Sequence, residues 1–194
     1  MSSIPRARIL TTEILYTGWV TLKQISVAYR RRDGADETLE RTVAEHGDAA
    51  AVLPYDPDRG VVLLARQFRL PAFLNGGHAS VLEACAGKLD GDEPQTCARR
   101  EALEELGYRL GDLSRAFTAF GSPGFDLETC TGFIARYSPA DRVDDGGGLV
   151  AEGEDIEVIE MDFTEAYGAI ATGAIIDAKT IMLLQHLKLS GAMG

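Results

Sequence analysis

The stretch that most constrains this chain is Gly87-Lys-Leu-Asp-Gly-Asp-Glu-Pro-Gln-Thr-Cys-Ala-Arg-Arg-Glu-Ala-Leu-Glu-Glu-Leu-Gly107. Its second half has the marks of a helix with defined ends. Asp92 is placed to cap the start, and Pro94 fits the first turn, where a missing N–H costs nothing. Gly107 supplies the left-handed residue that closes such helices. Between these limits Cys97, Ala98, Ala102, Leu103 and Leu106 can face a core. Glu101 and Glu105 stack at i and i+4, with Glu104 one row over. Like charges at that spacing repel. One reading is an acidic face turned to water. The other is a divalent cation between the carboxylates, because hard oxygen ligands one turn apart suit Mg²⁺ or Mn²⁺.

Ahead of this helix the chain reads as strands. Ile9 to Leu15, Trp19 to Tyr29 and Leu39 to Glu45 alternate or are rich in β-branched and aromatic residues, and Arg32-Asp33-Gly34 makes a hairpin turn between the last two. Ala49 to Pro54 and Gly60 to Phe68 form a second apolar pair around the turn Asp56 to Gly60. The run Val61 to Ala65 is continuous enough for a strand buried on both faces. It ends in Arg66-Gln-Phe-Arg69, a basic tip able to hold a diphosphate. A polar loop, Asn75-Gly-Gly-His78, leads to a strand over Ser80 to Ala86; His78 is given no catalytic role.

Beyond the helix, Tyr108 to Phe120 reads as a strand broken near Gly111, and Glu128 to Tyr137 and Ile156 to Met161 as two more. Between the last two, Asp144 to Asp155 is a mobile acidic loop, glycine-rich at Gly146-Gly-Gly148. Thr164 to Ala171, closed by Gly173, and a helix capped by Asp177 and running through Leu187 complete an α+β chain.

Composition narrows the chemistry. A net charge of −11 over 194 residues argues against nucleic-acid polymers as partners, whose phosphates call for basic surface. No apolar run reaches the roughly 20 residues of a membrane span, and Met-Ser-Ser-Ile-Pro-Arg lacks a secretory signal's apolar segment. Cys85, Cys97 and Cys130 read as reduced core thiols of a cytoplasmic protein.

The central stretch resembles the Nudix box, Gly-x5-Glu-x7-Arg-Glu-apolar-x-Glu-Glu-x-Gly-apolar, through Gly87, Glu93, Arg100, Glu101, Ala102, Glu104, Glu105, Gly107 and Tyr108. Only six residues separate Glu93 from Arg100, one short of the pattern, but the Glu101–Glu105 register is intact. The likeness continues through Arg66-Gln-Phe-Arg69, Glu83-Ala-Cys-Ala-Gly87, Ser122-Pro-Gly124, Glu154-Asp-Ile-Glu-Val158 and Asp177-Ala-Lys-Thr180, which resemble the nucleoside-diphosphate-sugar branch and within it the GDP-mannose pyrophosphatase group. ADP-ribose pyrophosphatases resemble the chain almost as well: Pro123 follows Gly107 by 16 residues, their usual mark, although both groups share Ser-Pro-Gly. Thr42 departs from both, since they usually carry Glu after the residue matching Arg41.

The resemblance implies a Nudix α/β/α sandwich with a mixed sheet over residues 48–194, and an antiparallel strand extension over residues 1–47 that builds a homodimer. It implies Mg²⁺, or Mn²⁺, held by Glu101, Glu105, Glu154 and the main-chain carbonyl of Ala86. Glu154, with Glu105 and Glu104, is implied to act on the attacking water. Arg41 and Arg69 would meet the phosphates beside Gly87, Trp19 the base, and Glu128 and Lys179 the sugar or nucleotide. The implied reaction is hydrolysis of a nucleoside diphosphate sugar, GDP-mannose first and ADP-ribose second, to a nucleoside monophosphate and a sugar phosphate. A ligand sensor that keeps the fold without the chemistry is the rival from another class, and it would be expected to have lost box glutamates that stand here.

Overall fold

A computed structural model of the chain describes residues 6–193. Residues 1–5, most of the start that reads as lacking a secretory signal's apolar segment, lie outside the described residues. The described chain falls into two compact units: one runs to Gly47 and includes Phe120–Glu128, and the other comprises Asp48–Ala119 and Thr129–Gly194.

The first unit is an antiparallel meander of β1 (Ala7–Thr17), β2 (Thr21–Arg30) and β3 (Asp36–Glu45), in the spatial order β1-β2-β3. Trp19, expected inside a strand, lies instead in the turn that pairs Thr17 with Thr21, where the Gly18 N–H donates to the Val20 carbonyl at 3.2 Å. The β2–β3 hairpin turns at Arg32-Asp33-Gly34 as expected. Asp33 Oδ1 accepts from the Ala35 N–H, and Arg30 grips Asp36 through Nε and Nη2 at 2.8 and 2.7 Å. β1 shifts register twice, between Ile9 and Thr11 and between Ile14 and Tyr16. Every residue of β1 is exposed, apolar Ile9, Leu10, Ile14, Leu15 and Tyr16 among them, because no described element of this unit packs over either face of the strand. The segment Phe120–Glu128 lies along β3: the Ala44 N–H donates to the Phe125 carbonyl at 2.8 Å, and the Leu127 N–H returns to the Ala44 carbonyl at 3.0 Å.

The second unit is a mixed sheet of β4 (Ala49–Asp56), β5 (Val61–Gln67), β6 (Val81–Glu83), β7 (Cys85–Lys88), β8 (Leu113–Phe120), β9 (Thr129–Arg136) and β10 (Glu157–Asp162), with helices α1 (Leu70–Gly76), α2 (Pro94–Leu106), α3 (Phe163–Thr172) and α4 (Ala178–Ser190). The strand order is β10-β5-β4-β9-β8; β6 adds to β5 and β7 to β4. β4 and β9 are parallel from Ala49↔Cys130 to Tyr55↔Arg136, and β10 is antiparallel to β5. Alternation along the central strands divides the core. Ala50, Val52, Leu63 and Ala65 pack against Cys97, Ala98, Ala102 and Leu106 of α2. Ala51, Leu53, Val62 and Leu64 pack on the other face against Ala166 of α3 and Leu183, Leu184 and Leu187 of α4. Helices on both faces explain the unbroken apolar run in β5. This is the mixed sheet between helices, with an antiparallel strand extension, that the sequence led us to expect.

Several boundaries differ. The strand expected over Ser80–Ala86 is two short strands on different neighbours, parted at Ala84, whose N–H donates to the Thr180 Oγ1 of α4 at 2.6 Å. The strand expected from Tyr108 begins only at Leu113; Tyr108 makes a single bridge to Arg142. Helix α1, unexpected, buries no residue and so leaves no apolar period to read; Gly77, at φ 70°, ends it. Asp92 does not cap α2. The N-cap residue is Glu93, without a side-chain bond, because the turn through Asp90 and Gly91, both at positive φ, brings Asp92 to Arg100 instead. Leu103 is only half-buried, whereas Cys97, Ala98, Ala102 and Leu106 are buried as expected. Cys85 and Cys97 are buried and Cys130 half-buried, none of them in a disulfide.

Candidate active site

The site grows from the packing of α2 on β7. Ala86 pairs with Ala51 of β4, which fixes the level of β7 beneath the helix. On α2, the residues that meet β7 include Glu101 and Glu105, both buried, with Glu105 only 2% exposed. Glu105 Oε2 accepts the Ala86 N–H at 3.2 Å. Burial pushes the Glu105 carboxyl up to about 7, and the nearby charges of Glu101 and Glu154 add to the rise, against the Cys85 thiol and the Ala86 N–H. Burial also raises Glu101, with Glu104 and Glu154 adding to it and Arg100 opposing. One guanidinium nitrogen of Arg100, Nη1, reaches Glu101 at 2.7 Å and Glu104 at 3.2 Å, while its Nη2 donates to the Lys88 carbonyl at 3.1 Å.

Gly87 is where backbone and carboxylate come closest. A Cβ at this position would stand 1.9 Å from Glu101 Oε1 and 2.0 Å from its Cδ, so no side chain fits while Glu101 keeps its place.

The acidic loop reaches the same centre. It was expected to be mobile, yet its first half is docked on the last turn of α2: the Gly147 N–H donates to the Glu105 carbonyl at 2.9 Å and the Gly148 N–H to the Glu104 carbonyl at 3.0 Å. These are carbonyls a helix end leaves unsatisfied. Gly146, Gly147 and Gly148 all hold positive φ, and a Cβ on Gly146 would meet the Glu105 carbonyl at 2.5 Å, so glycine is required there. A short 3₁₀ turn, Val150–Glu152, follows, and Glu154 Oε2 folds back to accept the Leu149 N–H at 2.7 Å.

The chemistry of this donor set, though not a ready-made coordination geometry, suits a divalent cation. Glu101, Glu105 and Glu154 offer only hard oxygens, and Glu105 is a buried carboxyl that makes no ion pair among the described residues. Among the described residues no group of three or more His, Cys, Asp or Glu side chains already stands at coordinating distances.

The remaining expected residues form two further groups. Arg69 and Lys179 converge on Glu83, a buried carboxylate: Arg69 Nε and Nη2 donate to it at 2.9 and 3.1 Å, and Lys179 Nζ at 2.7 Å. Trp19 and Glu128, in the first unit, converge on His46. The Trp19 ring stacks on the imidazole at 5.2 Å and 17°, while Nε2 faces Asp126 at 3.2 Å and Nδ1 faces Glu128 at 3.3 Å. Arg41 stays on the surface of β3 and donates to the Glu40 carbonyl at 2.8 Å. Glu83, His46 and Asp126 were not singled out from sequence. For Glu83 a signal existed: a carboxylate inside the otherwise apolar Val81 to Ala86 needs a buried cation.

Residues 45–184 match the model of the NUDIX domain, and residues 6–43 match the GDP-mannose pyrophosphatase NudK N-terminal domain. The chain is 44% identical over 186 residues to the GDP-mannose pyrophosphatase of Cronobacter sakazakii, covering 95% of this chain and 96% of the relative. The GDP-mannose pyrophosphatase of Klebsiella pneumoniae is 41% identical over 186 residues, covering 95% and 93%. A solved structure titled as that of an ADP compounds hydrolase is similar with a TM-score of 0.73 at 17% identity, over 99% of this chain and 100% of that one, a likeness of fold.

Proposed function

The chain belongs to the Nudix family and is a hydrolase of diphosphate bonds, and from that premise we propose that its substrate is GDP-mannose, cleaved to GMP and mannose 1-phosphate. The observation that carries this reading is the placement of Glu101 and Glu105, both buried on α2, with Glu101 against the glycine edge at Gly87, in a chain 41–44% identical to GDP-mannose pyrophosphatases. All the box glutamates stand, which speaks against a sensor that has lost its chemistry.

A diphosphate repels an attacking water, so its cleavage needs charge neutralisation, positioning and a base. Bound Mg²⁺, or Mn²⁺ in its place, supplies the neutralisation; Glu101, Glu105, Glu154 and the Ala86 carbonyl are its ligands in this proposal. Glu154 takes the proton of the attacking water, and Glu104 and Glu105 hold that water and its neighbours in line. In the second unit, Arg69 binds the phosphates beside Gly87 and Lys179 contacts the sugar or nucleotide. Residues 1–47 form the dimerisation extension of the Nudix domain over residues 48–194. In this reading the exposed apolar side of β1 covers a second copy, and the enzyme works in the cytoplasm. Among the described residues no helix is long and apolar enough to cross a membrane.

The test is a panel of nucleotide sugars with Mg²⁺, following mononucleotide release. GDP-mannose should give the highest kcat/KM. A higher value for ADP-ribose would overturn the choice of base and sugar, and no hydrolysis of any member would overturn the reading.

A further inference from the structure

The pairing of Arg69 and Lys179 with Glu83 has a geometry that goes beyond burial of charge. Glu83 stands at the end of β6 with its side chain 4% exposed. Its two oxygens are divided: Oε1 takes Arg69 Nε at 2.9 Å, and Oε2 takes both Arg69 Nη2 at 3.1 Å and Lys179 Nζ at 2.7 Å. Lys179 Nζ is held also by Asp177 Oδ1 at 3.0 Å. The same Asp177 caps α4 by accepting from the Thr180 N–H and hydroxyl, and Thr180 Oγ1 accepts the Ala84 N–H. β6 and the start of α4 are therefore locked together one residue from Cys85, and two from Ala86 and the carboxylate site.

Arg69 is engaged side-on. That mode uses Nε and Nη2 and leaves Nη1 without a partner among the described residues, on a side chain that is 43% exposed. Glu105 is among the carboxylates whose charge acts on Arg69, so the guanidinium lies within electrostatic reach of the site. A planar guanidinium gripped along one edge keeps its free N–H groups in a fixed direction, whereas an ungripped arginine loses rotamer entropy on meeting a phosphate.

We propose that Glu83 is a positioning residue: a buried anion that fixes Arg69 and Lys179 as a pair of cations for the diphosphate of the substrate. This rests on the reading that the diphosphate binds beside Glu101 and Glu105. Glu83 touches no substrate atom. Its effect on binding passes through Arg69 and Lys179.

The experiment is a double-mutant cycle over Glu83→Gln and Arg69→Ala in the full chain, read in two ways: KM and kcat for GDP-mannose, and the Kd of inorganic diphosphate with Mg²⁺ present. Arg69→Ala should weaken diphosphate binding about ten- to a hundredfold, the worth of a charged hydrogen bond. Glu83→Gln should reach most of that loss, mainly in KM, and adding it to Arg69→Ala should cost clearly less than it does alone, the remainder passing through Lys179. Independent, additive losses in the cycle, or a folded Glu83→Gln that binds diphosphate as the wild type does, would overturn the proposal. Glu83→Asp serves where the amide variant fails to fold: it keeps the charge but draws the anion back by one methylene. It should retain Tm and still weaken diphosphate binding, and wild-type binding by this variant would also overturn the proposal. Wild-type failure to hydrolyse any nucleotide sugar, with the diphosphate cycle still non-additive, would sink the substrate reading and leave this inference standing.

Discussion

Replacing Gly87 by Ala separates the site's geometry from the fold's stability. The new Cβ would sit 1.9 Å from Glu101 Oε1, 2.0 Å from Cδ and 2.6 Å from Oε2. Carbon contacts settle near 3.5–4.0 Å, so the carboxylate must retreat by roughly 1.5 Å. Arg100 Nη1, 2.7 Å from Oε1, must follow it or let go. A misplacement of about 1 Å at a positioned group costs on the order of a hundredfold in rate, and we expect kcat/KM to fall by about that factor, or roughly 2.7 kcal/mol. The Mg²⁺ concentration for half-maximal activity should rise in parallel. Stability should not fall. Gly87 is not among the positive-φ glycines, so alanine fits its backbone, and the loss of unfolded-state freedom stabilises by about 0.4–1 kcal/mol. Steady-state kinetics over a Mg²⁺ titration, with Tm measured on the same samples, decide it. Wild-type kcat/KM in a folded Gly87→Ala variant would show that Glu101 does not act from the position it holds in the structure. A large drop in Tm would show that the strain falls on the backbone instead.

Glu154→Gln should lower kcat strongly with little change in KM, since a water-positioning carboxylate acts mainly in the transition state, while Glu152→Gln on the same loop should be mild; the reverse pattern in steady-state kinetics would move the base. Burial lifts Glu83, but pairing with Arg69 and Lys179 outweighs it and leaves the carboxyl below its ordinary value. Its contribution to stability is thus full above the unfolded pKa and lost as pH falls through the folded one; Tm followed from neutral into the acid range should show that loss, and Glu83→Gln should flatten it. Ile9 and Ile14, 62% and 61% exposed on β1, should be tolerated as Lys in a folded chain but shift sedimentation from dimer to monomer; a wild-type monomer with full activity would refute the dimer.

Local pattern determined much of this protein. The spacing from Gly87 to Gly107 set both the helix and the row of carboxylates, because a 3.6-residue period and the chemistry of Pro94 and Gly107 act within one turn. The continuous apolar run from Val61 to Ala65 announced a strand covered on both sides, and Asp177 announced the cap of α4. Elements without a buried stripe, such as α1, left no such mark.

Tertiary structure decided the electrostatics. Glu101, Glu104 and Glu105 look alike in sequence, yet packing on β7 buries Glu105 until its carboxyl is lifted to about 7, while Glu104 stays half-exposed beside Arg100. The glycines of Gly146 to Gly148 read as slack in the chain, but their positive φ lets them close on the carbonyls of Glu104 and Glu105. Glu83 and Lys179 are 96 residues apart, as are Ala84 and Thr180. Burial and desolvation depend on which distant segments close over a residue, and no local period records that choice.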